Sequence, residues 1–76
     1  IQLYPNPSAG EIYLDLQLHY NEETAVIVTD MTGRRVYDKK PLQASNKIDL
    51  SKLSKGLYII QLTHDNDTYI GKVILN

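Results

Sequence analysis

Apolar residues recur at every second position along most of this chain, and turn-forming residues interrupt the alternation at intervals of about eight to twelve residues. The clearest stretch runs from residue 11 to residue 19, where the apolar positions are Ile12, Leu14, Leu16 and Leu18. A repeat of two is typical of β-strands with one buried face, and no window has the 3.6-residue repeat of a helix. The pattern predicts an all-β fold of about seven short strands, arranged as an immunoglobulin-like antiparallel β-sandwich with Greek-key connections.

The length of the chain limits what this fold can do. Its 76 residues suffice for one domain, which we expect to span residues 1–76. A domain of this size buries about 60–65% of the surface that its unfolded chain exposes. The small core favours recognition by a surface over catalysis in a deep pocket.

Composition excludes several classes of protein. Eight basic and nine acidic residues nearly cancel, so no basic excess indicates a nucleic-acid partner. The absence of cysteine excludes disulfides and thiol catalysis. The apolar runs are far shorter than the ~20 residues that span a bilayer. Tyrosine is the only aromatic residue type, which predicts an aliphatic core with tyrosines at its margins.

The alternation also assigns side chains to faces. Residues 25–28 are apolar at every position, which predicts a central strand covered on both faces or covered by a partner. On the next strand we expect Val36 to point inward, and Arg35 and Tyr37 to point outward. The predicted core comprises Ile12, Leu14, Leu16, Val28, Val36, Ile48, Leu53, Ile60 and Leu62.

Two segments carry strong turn signals. Pro5 and Pro7 remove backbone donors and turn the chain through a corner, and Gly10 supplies a positive φ where the chain re-enters the sheet. The segment Asp30–Gly33 predicts a hairpin turn, in which the aspartate caps the turn and the glycine adopts the left-handed conformation.

A third segment resembles the tyrosine corner of Greek-key sandwiches. Gly56 permits the bend, Leu53 fills the core beside the ring, and we expect the Tyr58 hydroxyl to reach the backbone near Ser54. Residues 51–55 are predicted to form a single helical turn capped by its first serine.

No motif indicates catalysis or metal binding. The segment Asp65–Asp67 is the nearest to an oxygen-ligand loop, but it lacks the length and the terminal glutamate of a calcium hand. His19 and His64 lie near strand ends and are interpreted as solvated rim residues. No serine lies in a nucleophile elbow. We therefore expect no enzymatic activity, no cofactor and no metal.

Two pairs of cations, Arg34-Arg35 and Lys39-Lys40, lie on one predicted strand, at its two ends. We interpret these cations as solvated charges that prevent the edge strand from pairing with another edge strand. Contact with anionic lipopolysaccharide or with an acidic receptor surface is the alternative, which the spacing alone does not support.

The order and spacing of these motifs resemble the C-terminal sorting domain, type A, of cargo proteins of the type IX secretion system. The family's motifs are Pro-x-x-Gly, Asp-x-x-Gly-basic-x-Val, Leu-x-x-Gly-x-Tyr, and a terminal Lys before β-branched residues. The residues that match them are Pro7, Gly10, Asp30, Gly33, Arg34, Val36, Leu53, Gly56, Tyr58, Lys72, Val73, Ile74 and Leu75. The chain departs from the family at Asn76, where a Lys or Glu is common.

This resemblance implies a non-catalytic secretion signal that directs an upstream cargo domain across the outer membrane. Such a domain folds in the periplasm and is recognised by the outer-membrane translocon. A sortase-like peptidase typically removes it and often attaches the processed cargo to anionic lipopolysaccharide. The implied location is the periplasm in transit, and then the cell surface or the medium.

Two other classes of function remain open. The chain is alternatively a fibronectin- or immunoglobulin-like accessory module that binds carbohydrate or protein, or a passive spacer. A row of exposed tyrosines on one sheet face, such as Tyr13, Tyr20 and Tyr37, favours carbohydrate binding.

Overall fold

The computed structural model describes residues 2–4, 9–16, 23–64 and 66–76. These residues form seven β-strands and contain no helix that could cross a membrane. The strands are β1 (Gln2–Tyr4), β2 (Glu11–Asp15), β3 (Ala25–Thr29), β4 (Arg35–Lys39), β5 (Ser45–Asp49), β6 (Gly56–His64) and β7 (Asp67–Leu75). The predicted all-β fold is confirmed.

The strands form two antiparallel sheets. One sheet has the order β1-β2-β5, and the other has the order β4-β3-β6-β7. The chain crosses between sheets after β2, returns to pair β5 with β2, and crosses again to pair β6 with β3. These crossovers make the arrangement an immunoglobulin-like sandwich with Greek-key connections.

The core lies between the two sheets, as the period of two predicts. Seven of the nine predicted core residues are buried: Ile12, Leu14, Leu16, Val28, Ile48, Ile60 and Leu62. The other two, Val36 and Leu53, are half-buried and pack against this cluster. The structure adds Val26, Leu42, Leu50, Tyr58, Val73 and Leu75 to the core. The prediction for Leu18 lies outside the described residues.

Strand β3 is central in its sheet, but its two faces differ. Val26 and Val28 are fully buried against the other sheet, whereas Ala25 and Ile27 on the opposite face are half-buried. The chain itself therefore covers one face fully and the other only in part, and the alternative that a partner covers the outer face stays a prediction. A sandwich has only two layers, so each sheet has one inner face and leaves the other open.

The predicted orientation of Tyr37 is also wrong. A β-bulge shifts the register of β3 and β4 between Val28 and Thr29, and it places Tyr37 opposite the buried Val28. Tyr37 is consequently half-buried and packs against the core, and this burial is the main cause that raises its pKa. A bulge adds one residue to one strand, so strict alternation assigns the wrong face beyond it. Arg35 is exposed, as predicted.

The turn before β6 is not helical. The backbone N–H of Ser51 donates to Oδ1 of Asp49 at 3.0 Å, and the N–H of Leu53 donates to the carbonyl oxygen of Leu50 at 3.0 Å. The capping residue is thus Asp49, not Ser51, and the hydrogen bonds from Ser51 hold the pKa of Asp49 below its ordinary value. An aspartate that caps a turn two residues ahead forms an Asx-turn, which competes with the first turn of a helix.

Candidate functional site: the motif end of the sandwich

The first motif places Gly10 where two segments of chain make close contact. Its φ is 130°, and the N–H of Leu50 donates to its carbonyl oxygen at 2.7 Å. A Cβ atom on Gly10 would lie 2.6 Å from the Cα of Ser51. Glycine is required at this position both for its conformation and for the space. Pro7 lies outside the described residues.

The second motif forms the turn between β3 and β4. Oδ1 of Asp30 accepts hydrogen bonds from the N–H of Thr32 at 2.9 Å, from the hydroxyl of Thr32 at 2.6 Å and from the N–H of Arg34 at 3.0 Å. Gly33 has a φ of 89°, which confirms its predicted left-handed conformation. Nε of Arg34 lies 3.4 Å from Oδ2 of Asp30.

These contacts explain the ionisation of Asp30. The hydroxyl of Thr32, the backbone N–H groups and the charge of Arg34 favour the carboxylate and lower the pKa of Asp30. Hydrogen bonds to the charged form are a recognised cause of such shifts. The capping role predicted for Asp30 is confirmed, and Val36 of the same motif packs against the core.

The third motif forms the predicted tyrosine corner. The hydroxyl of Tyr58 donates to the carbonyl oxygen of Ser54 at 2.6 Å, and the ring is buried. Gly56 has a φ of 149° at the bend, and Leu53 packs against the core beside it. The corner ties the start of β6 to the turn that precedes it.

The fourth motif occupies the end of β7. Val73 and Leu75 are buried, whereas Lys72 and Ile74 are exposed. Half of this motif therefore belongs to the core, and the other half lies on the surface.

The registers bring the described parts of all four motifs to one end of the sandwich. Strand β2 starts where β5 ends, β6 starts where β7 ends, and β3 ends beside the first residues of β6. We call this the motif end, defined by Gly10, residues 30–34, residues 51–56 and residues 72–75. Spacing along the chain does not reveal this proximity, because it results from which strands pair.

The structure corrects the interpretation of His64. Its side chain is buried, and its Nδ1 lies 2.9 Å from Oγ1 of the buried Thr24. The alternation in β6 is sufficient to predict this, since His64 has the same parity as Tyr58 and Leu62. His19 lies outside the described residues. Within the described ranges, no group of three or more His, Cys, Asp or Glu residues could hold a metal ion.

The tyrosines do not form the row that favours carbohydrate binding. Tyr13 lies on the outer face of the three-stranded sheet, whereas Tyr37 belongs to the other sheet and packs against the core. Tyr20 lies outside the described residues. Tyr13 instead stacks on Tyr4 with ring centroids 5.8 Å apart, and the hydroxyl of Tyr4 donates to Asp15 at 3.0 Å.

A family model described as the secretion system C-terminal sorting domain matches residues 2–76. The chain belongs to this family. The match extends over nearly the whole chain and confirms the resemblance to type IX secretion sorting domains drawn from the motifs. A comparison with curated proteins gives no match.

Membership of the family decides the class of function. The family is one of sorting signals and not of catalysts, so this sorting domain is not an enzyme. A type IX sorting signal serves export to the cell surface or secretion. The hydrogen bonds of Asp30 and Tyr58 at the motif end hold its turns in place.

Proposed function

We propose that this sorting domain is the C-terminal signal that carries an upstream cargo domain through the type IX secretion system across the outer membrane. The observation that carries the proposal is the family match over residues 2–76. The arrangement of Gly10, the Asp30 turn and the Tyr58 corner at the motif end supports it, because these groups stabilise one compact shape that a receptor can recognise.

The route that we propose has three steps. The domain folds in the periplasm, and the outer-membrane translocon recognises it in the folded state. A sortase-like peptidase then removes it and often attaches the processed cargo to anionic lipopolysaccharide. The domain contributes recognition alone, and the covalent chemistry belongs to the peptidase.

A fusion experiment tests this proposal. A signal peptide, a soluble reporter and this domain at the C-terminus are expressed in a host with the type IX system and in a matched host that lacks it. We expect the reporter at the cell surface or in the medium of the first host, and in the periplasm of the second.

The control keeps the fold and changes its position. The same domain placed on the N-terminal side of the reporter is expected to remain folded and to leave the reporter in the periplasm. A C-terminal fusion that is folded and protease-resistant, yet stays in the periplasm of the competent host, contradicts the proposal. The accessory-module or spacer function then replaces it.

A further inference from the structure

Strand β7 is an edge of the four-stranded sheet, since it pairs with β6 and no described strand pairs with its other side. The other edge strands, β1, β4 and β5, have five residues or fewer, and the pairing of β4 also contains a bulge. Strand β7 has nine residues and pairs with β6 without a break in register. Short length, charges and bulges keep sheet edges from pairing, so β7 is the least protected of the described edges.

The first half of β7 exposes apolar side chains on both faces. Ile70 is 70% exposed, and Tyr69 is 43% exposed. Directly opposite residues of an antiparallel pair point to the same face. Tyr69 lies opposite the buried Leu62, so it points toward the space between the sheets, whereas Ile70 points to the outer face. Apolar surface therefore surrounds the backbone of this edge.

A cleft of about 120 Å³ opens at the same edge, between β7 and β1. Leu3 and Leu14 line it from one sheet, and Ile70 and Gly71 line it from the other. Gly71 lies opposite the buried Ile60, so the missing side chain leaves space between the sheets. An apolar cavity of about 150 Å³ can hold a benzene ring, so this cleft has room for part of an aromatic ring.

We propose that two copies of this chain pair through their β7 strands, antiparallel to each other, with Ile70 opposite Ile70 of the other copy. The same register places Tyr69 of each copy opposite Gly71 of the other, on the inner face and beside the cleft. An aromatic residue across from a glycine covers the gap that the glycine leaves. The edge is thus complementary to itself, as a two-fold interface requires.

The charges of β7 favour a second copy in this direction. Asp67 begins the strand, and Lys72 follows Gly71. Antiparallel pairing brings Lys72 of each copy opposite Thr68 of the other, one residue from Asp67. Parallel pairing in register brings like charges directly opposite each other, which is unfavourable. Asp67 and Lys72 point to opposite faces of the sheet, so they select the direction of pairing without forming an ion pair.

The inference goes beyond export and does not depend on it. Sedimentation velocity of the 76-residue chain, at concentrations from about 10 µM to about 1 mM, measures its association. A small interface between two strand edges belongs to the transient class. We therefore expect a monomer–dimer equilibrium with a Kd between about 10 µM and about 500 µM.

Single-cysteine variants test the register, because the chain has no cysteine of its own. Ile70→Cys places two thiols directly across the strand pair, where Cα atoms are about 4.5–5.5 Å apart and a disulfide can form. Thr68→Cys on the same face is the matched control, since its counterpart lies four residues along the strands, at about 14 Å. Oxidised glutathione should link Ile70→Cys at least about tenfold faster than Thr68→Cys.

Two lysine substitutions at exposed apolar residues locate the interface. Ile70→Lys brings two like charges together at the centre and should weaken the dimer about fivefold or more. Met31→Lys adds the same charge to the turn between β3 and β4, at a residue that is 64% exposed, and should change the Kd less than about twofold.

Gly71→Ala tests the cleft separately from the charge. The added Cβ lies 3.4 Å from Cγ2 of Ile60, which is an ordinary contact, so the fold accepts it. Because alanine is better suited than glycine to a strand interior, the melting temperature should not fall. The methyl group occupies space that Tyr69 of the other copy needs, so the dimer should weaken about threefold or more.

Three results overturn the proposal, once the amide spectrum of each variant shows that it is folded. A chain that stays monomeric at about 1 mM does not pair through this edge. Equal rates of oxidation for the two cysteine variants show that Ile70 does not lie opposite its copy. A dimer that Ile70→Lys leaves intact, or that Met31→Lys weakens equally, has its interface elsewhere.

Discussion

The backbone of Gly10 contacts that of Ser51 so closely that a Cβ atom on the glycine would lie 2.6 Å from the Cα of the serine. The contact joins the start of β2 to the turn between β5 and β6. Gly33 also has a positive φ, of 89°, but nothing lies within 4 Å of its Cβ position.

This contrast predicts the effects of two alanine substitutions. Gly33→Ala should cost about 1–2 kcal/mol from backbone conformation alone. Gly10→Ala should cost at least about 1 kcal/mol more, because the two backbones must move apart. Denaturant unfolding of both variants measures the difference in their free energies of unfolding. Equal midpoints contradict the close contact between Gly10 and Ser51.

Removal of the Tyr58 hydroxyl should destabilise the domain. Tyr58→Phe leaves the carbonyl oxygen of Ser54 without this donor, at an expected cost of about 1–3 kcal/mol. Each kcal/mol lowers the melting temperature of a domain of this size by about 4–8 °C. Tyr69→Phe on β7 is the matched control, since this residue is 43% exposed. Equal melting temperatures for the two variants contradict the role of the corner.

Truncation of Tyr37 tests the bulge. Tyr37→Ala removes a half-buried ring from the core and should cost about 1–2 kcal/mol. Met31→Ala, at a residue that is 64% exposed, should leave the free energy of unfolding within about 0.5 kcal/mol of that of the unsubstituted chain. Calorimetry measures the stability of both variants. If Tyr37→Ala is as stable as the unsubstituted chain, the ring lies on the outer face, as strict alternation predicts.

The pKa shifts of two aspartates predict how the stability of the domain depends on pH. The pKa values of Asp30 and Asp49 are lowered from 3.8 in the folded chain by hydrogen bonds from Thr32 and Ser51 respectively. These carboxylates therefore bind protons more readily in the unfolded chain. Their contribution to the free energy of unfolding is present above pH 3.8 and is lost as the pH falls through their pKa values in the folded chain.

A double variant measures this contribution. With Asp30→Asn and Asp49→Asn together, the fall in unfolding free energy between about pH 4 and about pH 2 should be shallower than in the unsubstituted chain. Asp38→Asn is the control, because its carboxylate accepts no hydrogen bond among the described residues. If the free energy of unfolding depends on pH identically in the double variant and the unsubstituted chain, the capping roles of Asp30 and Asp49 are contradicted.

Local chemistry made much of the site predictable. Asp30, Gly33, Gly56 and Tyr58 act through groups within a few residues of themselves, and turn signals report such contacts directly. The capping by Asp49 was missed because a serine after a strand is equally typical of a helix cap. The burial of His64 was missed because its residue type was weighed above the period of β6.

Short-range patterns suffice to predict the all-β fold, most of the core and the family, because period-two burial and turn chemistry are properties of short segments. Pairing between strands sets two further features, which are the inward position of Tyr37 and the meeting of the motifs at one end. Each depends on which strands pair and in what register, and pairing joins residues that are distant in the chain. A bulge of one residue or a crossover between sheets changes such contacts without changing the local pattern.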